Sequence, residues 1–298
     1  MTVVVPAHYP GRLTLEKNNV PWKTREDALR EDIRALRIGI LNIMPRADTY
    51  EFNLLQPLGR SVLQIEPVWI RLKTHAYKST SAEHLENLYL SFQQVVEDYA
   101  GLDGLIITGA PVEEIPFEEI SYWNEIRRIL KYARNNIAST LCMCWGALAC
   151  AKYLGIETCV YDYKVFGVFR TRNLAPSHRI MGGMDDEFWC PQSRHSGVSD
   201  AEIERASAQG IITPLAYAEQ GGYTICESAD RRFLMHLGHP EYNSRRLVEE
   251  YRRDMNKGRS DVRPPVNVDL ESPVNLWRSH RTEFFSQWIK CIHEATTY

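Results

Sequence analysis

The stretch NNIASTLCMCWGALACAKYLG, residues 135–155, carries three of the chain's seven cysteines. One of them, Cys144, falls between an apolar run ending at Met143 and a helical pattern that starts beside Gly146. A sharp strand-to-helix turn lifts a nucleophile off a sheet edge. It also places a thiol at a helix N-terminus, where the dipole and the free backbone N–H groups favour the thiolate and a developing oxyanion. Cys142 falls within the strand and Cys150 within the helix, where a cysteine acts as a small buried hydrophobe. Cys144 has the same alternative of plain burial, and the turn argues against it. A thiol nucleophile needs a base. FLMHLGHPEYN supplies His239 in a loop just past a predicted strand, with Glu241 two residues on to orient the imidazole. His236, inside that strand, is expected to be a packed histidine.

Three further residues are lesser candidates. Lys164 precedes FGVFR and could meet an acyl or phosphate-bearing ligand, and His195 lies in PQSRHSG. Arg253 lies on the helix after the His239 loop, where a guanidinium could clamp a substrate carboxylate. No metal site is expected: Cys142 and Cys144 are separated by one residue rather than two, and His239 and Glu241 alone are too few ligands. A glycine-rich phosphate loop is missing too, because GLDGLIITGAP has no following Lys-Ser or Lys-Thr. The residues describe cysteine-based acyl transfer or amide hydrolysis, and composition does not separate the two.

The elements that must position these residues read as alternating strands and helices. LRIGILNIM, residues 36–44, is a buried strand cut by Pro45. DTYEFNLLQPLG is a helix and VLQIEPVWIRL a strand. A polar helix is expected near 81–98, then the strand LDGLIITGAP. In YWNEIRRILKYARNN, Trp123, Ile126, Ile129, Leu130 and Ala133 recur at helical spacing. Apolar strands alternating with helices predict an α/β fold with an open, mostly parallel sheet flanked by helices. The strand ends at 42–46, 108–113 and 143–146 then share one edge, where ligands bind in such sheets. Residues 156–240 read as shorter, more polar strands, and two helices follow, SRRLVEEYRRDMNKG and WRSHRTEFFSQWIKCIHEA. Residues 1–35 are expected to form an N-terminal lead-in packed on the core, and 36–298 a single α/β domain.

Composition narrows the class. With 298 residues, 44% of them hydrophobic, the chain can bury a core without disulfide staples. Its 35 basic and 38 acidic residues leave a net charge of −3, no electrostatic case for nucleic acid or an acidic membrane surface. No apolar run reaches the length of a membrane span, and MTVVVPAHYPGRL lacks the basic start of a signal peptide. An odd, irregularly spaced set of cysteines fits a reducing, cytoplasmic compartment.

The combination EDIRALRIGILNIMP, AEHLENLY, DGLIITGAPVE, FEEISYW, STLCMCWGA, KVFGVF, DDEFWCPQSRH, GHPEY and WRSH, in this order across roughly residues 12–295, resembles the homoserine O-acyltransferases, the transsuccinylase type built on a class I glutamine-amidotransferase-like fold. The resemblance implies a ping-pong enzyme with no bound cofactor. Cys144 takes the acyl group from an acyl-coenzyme A, with His239 as base and Glu241 as its partner. An amino-acid hydroxyl then attacks the acyl-enzyme. It further implies that Lys164 is an active-site lysine, that Arg253 holds the acceptor carboxylate, that His195 lies near the acceptor, and that the chain forms a homodimer. Glu113, after GAPV, matches the position that selects the acyl donor. Glutamate there implies acetyl-CoA as the donor, because its charge repels the distal carboxylate of a succinyl group, and the family implies L-homoserine as the acceptor. The chain departs from the family pattern at Ala47, Leu148 and Ser196–Gly197, where lysine, glutamine and Thr-Glu are usual. These departures leave L-serine as an alternative acceptor. Succinyl-CoA remains the alternative donor, and a glutamine-amidotransferase-like cysteine hydrolase the alternative of another class.

Overall fold

Apolar residues alternate along the central strands so that each strand has two buried faces. In Ser139–Met143, Leu141 and Met143 face one side and Cys142 the other, all fully buried. A strand buried on both faces needs helices on both sides. The computed structural model describes residues 2–31, 34–98 and 101–296; Asp32 and Ile33 of the EDIRALRIG stretch lie outside them.

The described strands are β1 (Val3–Val4), β2 (Trp22–Lys23), β3 (Leu36–Leu41), β4 (Ile65–Arg71), β5 (Leu90–Ser91), β6 (Gly104–Ile107), β7 (Ser139–Met143), β8 (Cys159–Asn173), β9 (Glu187–Gly197), β10 (Ile212–Ala218), β11 (Gly222–Ser228) and β12 (Phe233–His236). They form one sheet in the order β2-β1-β4-β3-β6-β7-β12-β11-β10-β8-β9, with β5 alongside β4. From β2 to β12 every pairing is parallel; from β12 through β11 to β9 every pairing is antiparallel. The mostly parallel, helix-flanked sheet is therefore the expected one.

The helices are α1 (Arg12–Lys17), α2 (Arg25–Leu29), α3 (Ala47–Leu58), α4 (Ala82–Leu88), α5 (Phe92–Asp98), α6 (Trp123–Asn136), α7 (Trp145–Tyr153), α8 (Asp200–Ala208), α9 (Arg246–Asn256) and α10 (Arg278–Ala295). Side chains of α3, α9 and α10 fill one face of the sheet, with Leu54, Leu247, Phe285 and Trp288 against Ile38, Ile106 and Leu141. Those of α6, α7 and α8 fill the other, with Ile126, Leu130, Ala149 and Ile203 against Leu105, Cys142 and Met235. The apolar stripe of α6 is the one its spacing predicts. Among the described residues no helix is long and apolar enough to cross a membrane.

Two local expectations are corrected. The helix near 81–98 is two short helices, because Tyr89 turns extended (φ −104°, ψ 131°) and Leu90 pairs with Ile70 of β4. Edge pairing overrides helical propensity there. The strands between 156 and 240 are not all short: β8 has 15 residues and β9 has 11. A register shift between Val160 and Val165 breaks the alternation that would mark one long strand.

The carboxyl ends of β3, β6, β7 and β12 lie side by side, and the loops after them meet above the sheet. Gly146 lets them close. A Cβ there would lie 2.6 Å from the Ile107 carbonyl oxygen and 2.9 Å from that of Thr108. Gly146→Ala should therefore lower stability by about 1–3 kcal/mol through overpacking. Thermal denaturation checks this: an unchanged midpoint would mean that α7 and β6 separate without cost.

Candidate active site

β7 ends at Met143 and α7 begins at Trp145, so the whole change of direction falls on Cys144. Its backbone has φ 49° and ψ −115°, a conformation that residues other than glycine rarely adopt. Its N–H donates to the carbonyl of His236 on the neighbouring β12 at 2.9 Å. Pairing of β7 with β12 thus fixes the turn. The carbonyl of Cys144 accepts from the N–H groups of Ala147 and Leu148, which starts α7. The N–H groups of the first residues of any helix lack intrahelical partners. Gly109, just beyond β6, lies against the cysteine: a Cβ there would be 3.6 Å from Sγ. Cys142 and Cys150 are fully buried in the apolar layer, as their positions predict.

β12 ends at His236, and Leu237–Gly238 carries the chain to His239. The backbone N–H of His239 is anchored on the Pro191 carbonyl at 2.8 Å. The ring stacks on Tyr242, with centroids 4.0 Å apart and planes inclined by 17°. It lies within electrostatic reach of Cys144, and its Nδ1 lies 2.7 Å from Glu241 Oε1. Burial pulls the imidazole down, but Cys144 and Glu241 together outweigh it and hold the imidazolium well above its ordinary range. Burial equally opposes the Glu241 carboxylate, yet His239 and the Tyr50 hydroxyl keep it below the usual carboxylate range. Cys144, His239 and Glu241 are thus brought together in the order thiol, imidazole, carboxylate. His236 is a packed histidine: burial lowers it to about 4, and its ring meets Phe284 edge-on.

Two partners of Glu241 leave no mark in the sequence. Tyr50 of α3 donates its hydroxyl to Glu241 Oε1 from 191 residues away. Arg281 of α10 is buried beside the same residue and donates to the backbone carbonyls of Glu241 and Tyr242 at 3.4 Å. Burial lowers its guanidinium to about 10, so it stays charged at neutral pH.

A second group flanks the histidine. Lys164 is buried, with Nζ 2.7 Å from Asp254 Oδ2, 3.9 Å from Glu250 and 4.1 Å from the centre of the Phe166 ring. Arg253 shares Asp254, donating from Nε to Oδ1 at 2.8 Å, while about half of its side chain is open to solvent. Glu250 accepts from Tyr242 at 2.8 Å and from Ser193 at 2.5 Å, which ties this group to the ring under His239. Ser193, Glu250 and Asp254 lie outside the residues that spacing singled out. His195 is nearby on β9, its Nδ1 3.2 Å from both Arg259 and Asp261. Burial, helped by Lys164, holds it below its ordinary range.

Glu113 follows the Gly109 loop. Its backbone carbonyl accepts from the Ser196 hydroxyl at 2.6 Å. Burial pushes its carboxyl up to about 7, against the His195 backbone N–H and the charges of Lys164, His239 and Arg194. The departures from the family pattern have local causes. Ala47 and Leu148 are buried in opposite apolar layers. A Cβ on Gly197 would lie 1.9 Å from the Tyr161 hydroxyl and 2.2 Å from Arg194 Nη1, two groups that are hydrogen-bonded at 2.8 Å. Glu114, His195 and Asp261 have donor atoms close enough for a metal ion. The Arg259 guanidinium already bridges both carboxylates, bidentate to Glu114 at 2.9 Å, so it supplies the positive charge that an ion would bring.

The model of one family, homoserine O-succinyltransferase, matches residues 2–298. Homoserine O-acetyltransferases of Geobacillus kaustophilus and Bacillus subtilis (strain 168) are 38% and 34% identical over 304 and 303 residues, covering all of this chain and 99% of theirs. In three dimensions the chain is similar to a glutamine amidotransferase from Thermotoga maritima (TM-score 0.53, 13% identity, 87% of this chain and 99% of that one). It is also similar to a glutamine amidotransferase from Methylobacillus flagellatus (TM-score 0.52, 12% identity, 87% and 96%). At such identities the likeness bears on the fold alone, which is the glutamine-amidotransferase-like one. A match along the whole chain, with relatives that share more than a third of their residues with it, places this protein in the homoserine O-succinyltransferase family of acyltransferases.

Proposed function

We propose that the protein transfers an acetyl group from acetyl-CoA to the side-chain hydroxyl of L-homoserine through an acyl-enzyme on Cys144. The observation that carries this reading is the Cys144–His239–Glu241 relay at a strand-to-helix turn, within a family of acyltransferases. The Cys144 sulfur attacks the thioester carbonyl. A new C–S bond forms, the bond to coenzyme A breaks, and the His239 imidazolium returns a proton to the leaving thiolate. N–H groups at the start of α7 face the developing oxyanion. Neutral His239 then takes the proton of the acceptor hydroxyl as its oxygen attacks the acyl-enzyme. O-acetyl-L-homoserine leaves and the cysteine is restored. Glu241 holds the ring with Nδ1–H toward itself, which leaves Nε2 for both transfers.

Arg253 is the half-open cation suited to the acceptor carboxylate, with Lys164 and His195 lining the same side. Glu113 selects the donor, since an acetyl group carries no carboxylate for it to repel. The Bacillus and Geobacillus relatives, named as acetyltransferases, support the acetyl reading. Coenzyme A enters as a co-substrate and leaves with each turnover.

Cys144→Ala should lower acetyl transfer by roughly four orders of magnitude or more, and should abolish the burst of free coenzyme A. A burst from that variant would remove the cysteine from the reaction. Glu113→Gly should shift kcat/KM from acetyl-CoA toward succinyl-CoA by about a hundredfold, because like-charge juxtaposition is relieved; an unchanged ratio would show that Glu113 does not read the donor. The pH dependence follows from the buried relay. Glu241→Gln leaves the largest influence on His239, burial, with less opposition, so its imidazolium is lost at lower pH. Iodoacetamide should then label Cys144 more slowly below neutrality than in the wild type, and equal rates would mean that Glu241 does not sustain the imidazolium.

A further inference from the structure

Several buried tyrosines end on buried carboxylates. Tyr9 and Tyr89 bind Glu51, and Tyr242 binds Glu250, none of them a carboxylate that touches the His239 ring nitrogens. Tyr50 instead donates to Glu241. The oxygen it uses is Oε1, the one that lies 2.7 Å from His239 Nδ1, while Oε2 of the same carboxylate is buried with no partner. A hydroxyl present only to satisfy a buried carboxylate would stabilise it more at the bare oxygen, because an unpaired buried oxygen is costly. Two donors on one oxygen draw on the same charge instead.

The local structure of α3 keeps Tyr50 at that oxygen. The chain enters the helix through Arg46 at φ 54°, and the N–H groups of Arg46 and Ala47 are capped by the Ser79 and Thr80 hydroxyls at 2.9 and 3.0 Å. Glu51, the next residue after Tyr50, is locked by Tyr9, Tyr89 and His84 at 2.7, 2.9 and 2.6 Å. The Tyr50 hydroxyl keeps its own proton, since burial and the Glu241 charge push it well above its ordinary range. We propose that Tyr50 is a positioning residue of the relay: its hydroxyl takes part of the charge on Glu241 Oε1, limits how firmly that carboxylate retains a proton on His239, and so readies the neutral imidazole that the acceptor step needs. This rests on the reading of function above and deepens it.

The other charges around the pair act on the acyl-enzyme with and without the phenol alike. Arg281 on α10 faces Glu241, and His239 outweighs Tyr50 in keeping that carboxylate ionised against burial, so Glu241 stays an anion when the phenol is removed. Glu250 on α9 and Glu113 in the loop after β6 face His239, and Arg246 on α9 faces Tyr50. His236 on β12 is neutral, lowered by burial to about 4, and Cys190 on β9 is held as the thiol by burial and by Glu241. Cys144 raises His239 in the free enzyme, but its sulfur carries no charge once it holds the acyl group. The acyl-enzyme therefore isolates the hold of Glu241 on His239.

The experiment forms the acetyl-enzyme with acetyl-CoA, follows the burst of coenzyme A, and then measures single-turnover transfer to L-homoserine against pH. Transfer needs neutral His239, so its rate rises with pH as the imidazolium loses its proton. In Tyr50→Phe the undivided carboxylate favours the imidazolium. The rising limb should therefore move to higher pH by about half a unit or more, part of the roughly one to three units that a neighbouring charge commands. Site-specific replacement of Tyr50 by 3-fluorotyrosine keeps the hydroxyl, and with it the fold, but makes it a stronger donor; the limb should then move to lower pH. A merely structural role would lower the rate at every pH and leave the limb in place. A limb that stays in place or moves with the opposite sign, in either form that gives a burst, overturns the proposal and leaves the acyl-enzyme reading standing. No burst in the wild type overturns both.

Discussion

The site depends on one backbone residue held where backbones seldom go. Cys144 has positive φ without being glycine, at a cost on the order of 1–3 kcal/mol. That conformation persists because its surroundings over-determine it. β7 is paired on both sides, with β6 and with β12. The Cys144 N–H continues the ladder onto the His236 carbonyl. α7 closes down on β6 because Gly146 has no side chain to meet the Ile107 and Thr108 carbonyls. Through β12, the strand that braces the cysteine also delivers His239, so the thiol and the imidazole are registered by the same ladder.

The second constraint is the burial of charge. Glu241 is fully buried, and a lone buried carboxylate would protonate rather than stay charged. It remains an anion because His239 and Tyr50 both bind Oε1 and because Arg281 lies behind it. The arrangement is lopsided, since Oε2 is buried without a partner. A carboxylate shared at one oxygen between an imidazole and a phenol holds the imidazole less tightly than an undivided one. His239 is thereby oriented by two neighbours, Glu241 at Nδ1 and the Tyr242 ring beneath it.

The same ring joins the two halves of the site. The Tyr242 hydroxyl binds Glu250, which also accepts from Ser193 and lies near Lys164, and Lys164 reaches Asp254 and so Arg253. This chain of charged hydrogen bonds runs from beneath the histidine to the solvent-facing arginine. The antiparallel extension holds its far side: β9 carries Ser193, Arg194 and His195 on consecutive residues, and Gly197 leaves room for the Tyr161–Arg194 contact. The absence of a side chain at position 197 is therefore a packing requirement of this chain.

Local pattern by itself determined the central α/β sheet, the stripe of α6, the turn at Cys144 and the loop position of His239 and Glu241. All depend on hydrophobic periodicity or on spacing within a few residues, and such signals survive in a linear string. The split of 81–98 into two helices was not legible, because a two-residue strand forms only when β4 is there to pair with it. Nor was the length of β8, whose bulge masks the alternation. Tyr50 and Arg281 were invisible for the same reason. Nothing near Tyr50 in the chain distinguishes its hydroxyl from any other on a helix, and Arg281 is one of many helical arginines. Only the packing of α3 and α10 on the face of the sheet beside β12 brings them to Glu241. The sequence could name the candidate groups for chemistry, since their types are rare in such contexts. The tertiary structure alone decided which neighbours set their charge, because burial and partner distance do not exist until the chain is folded.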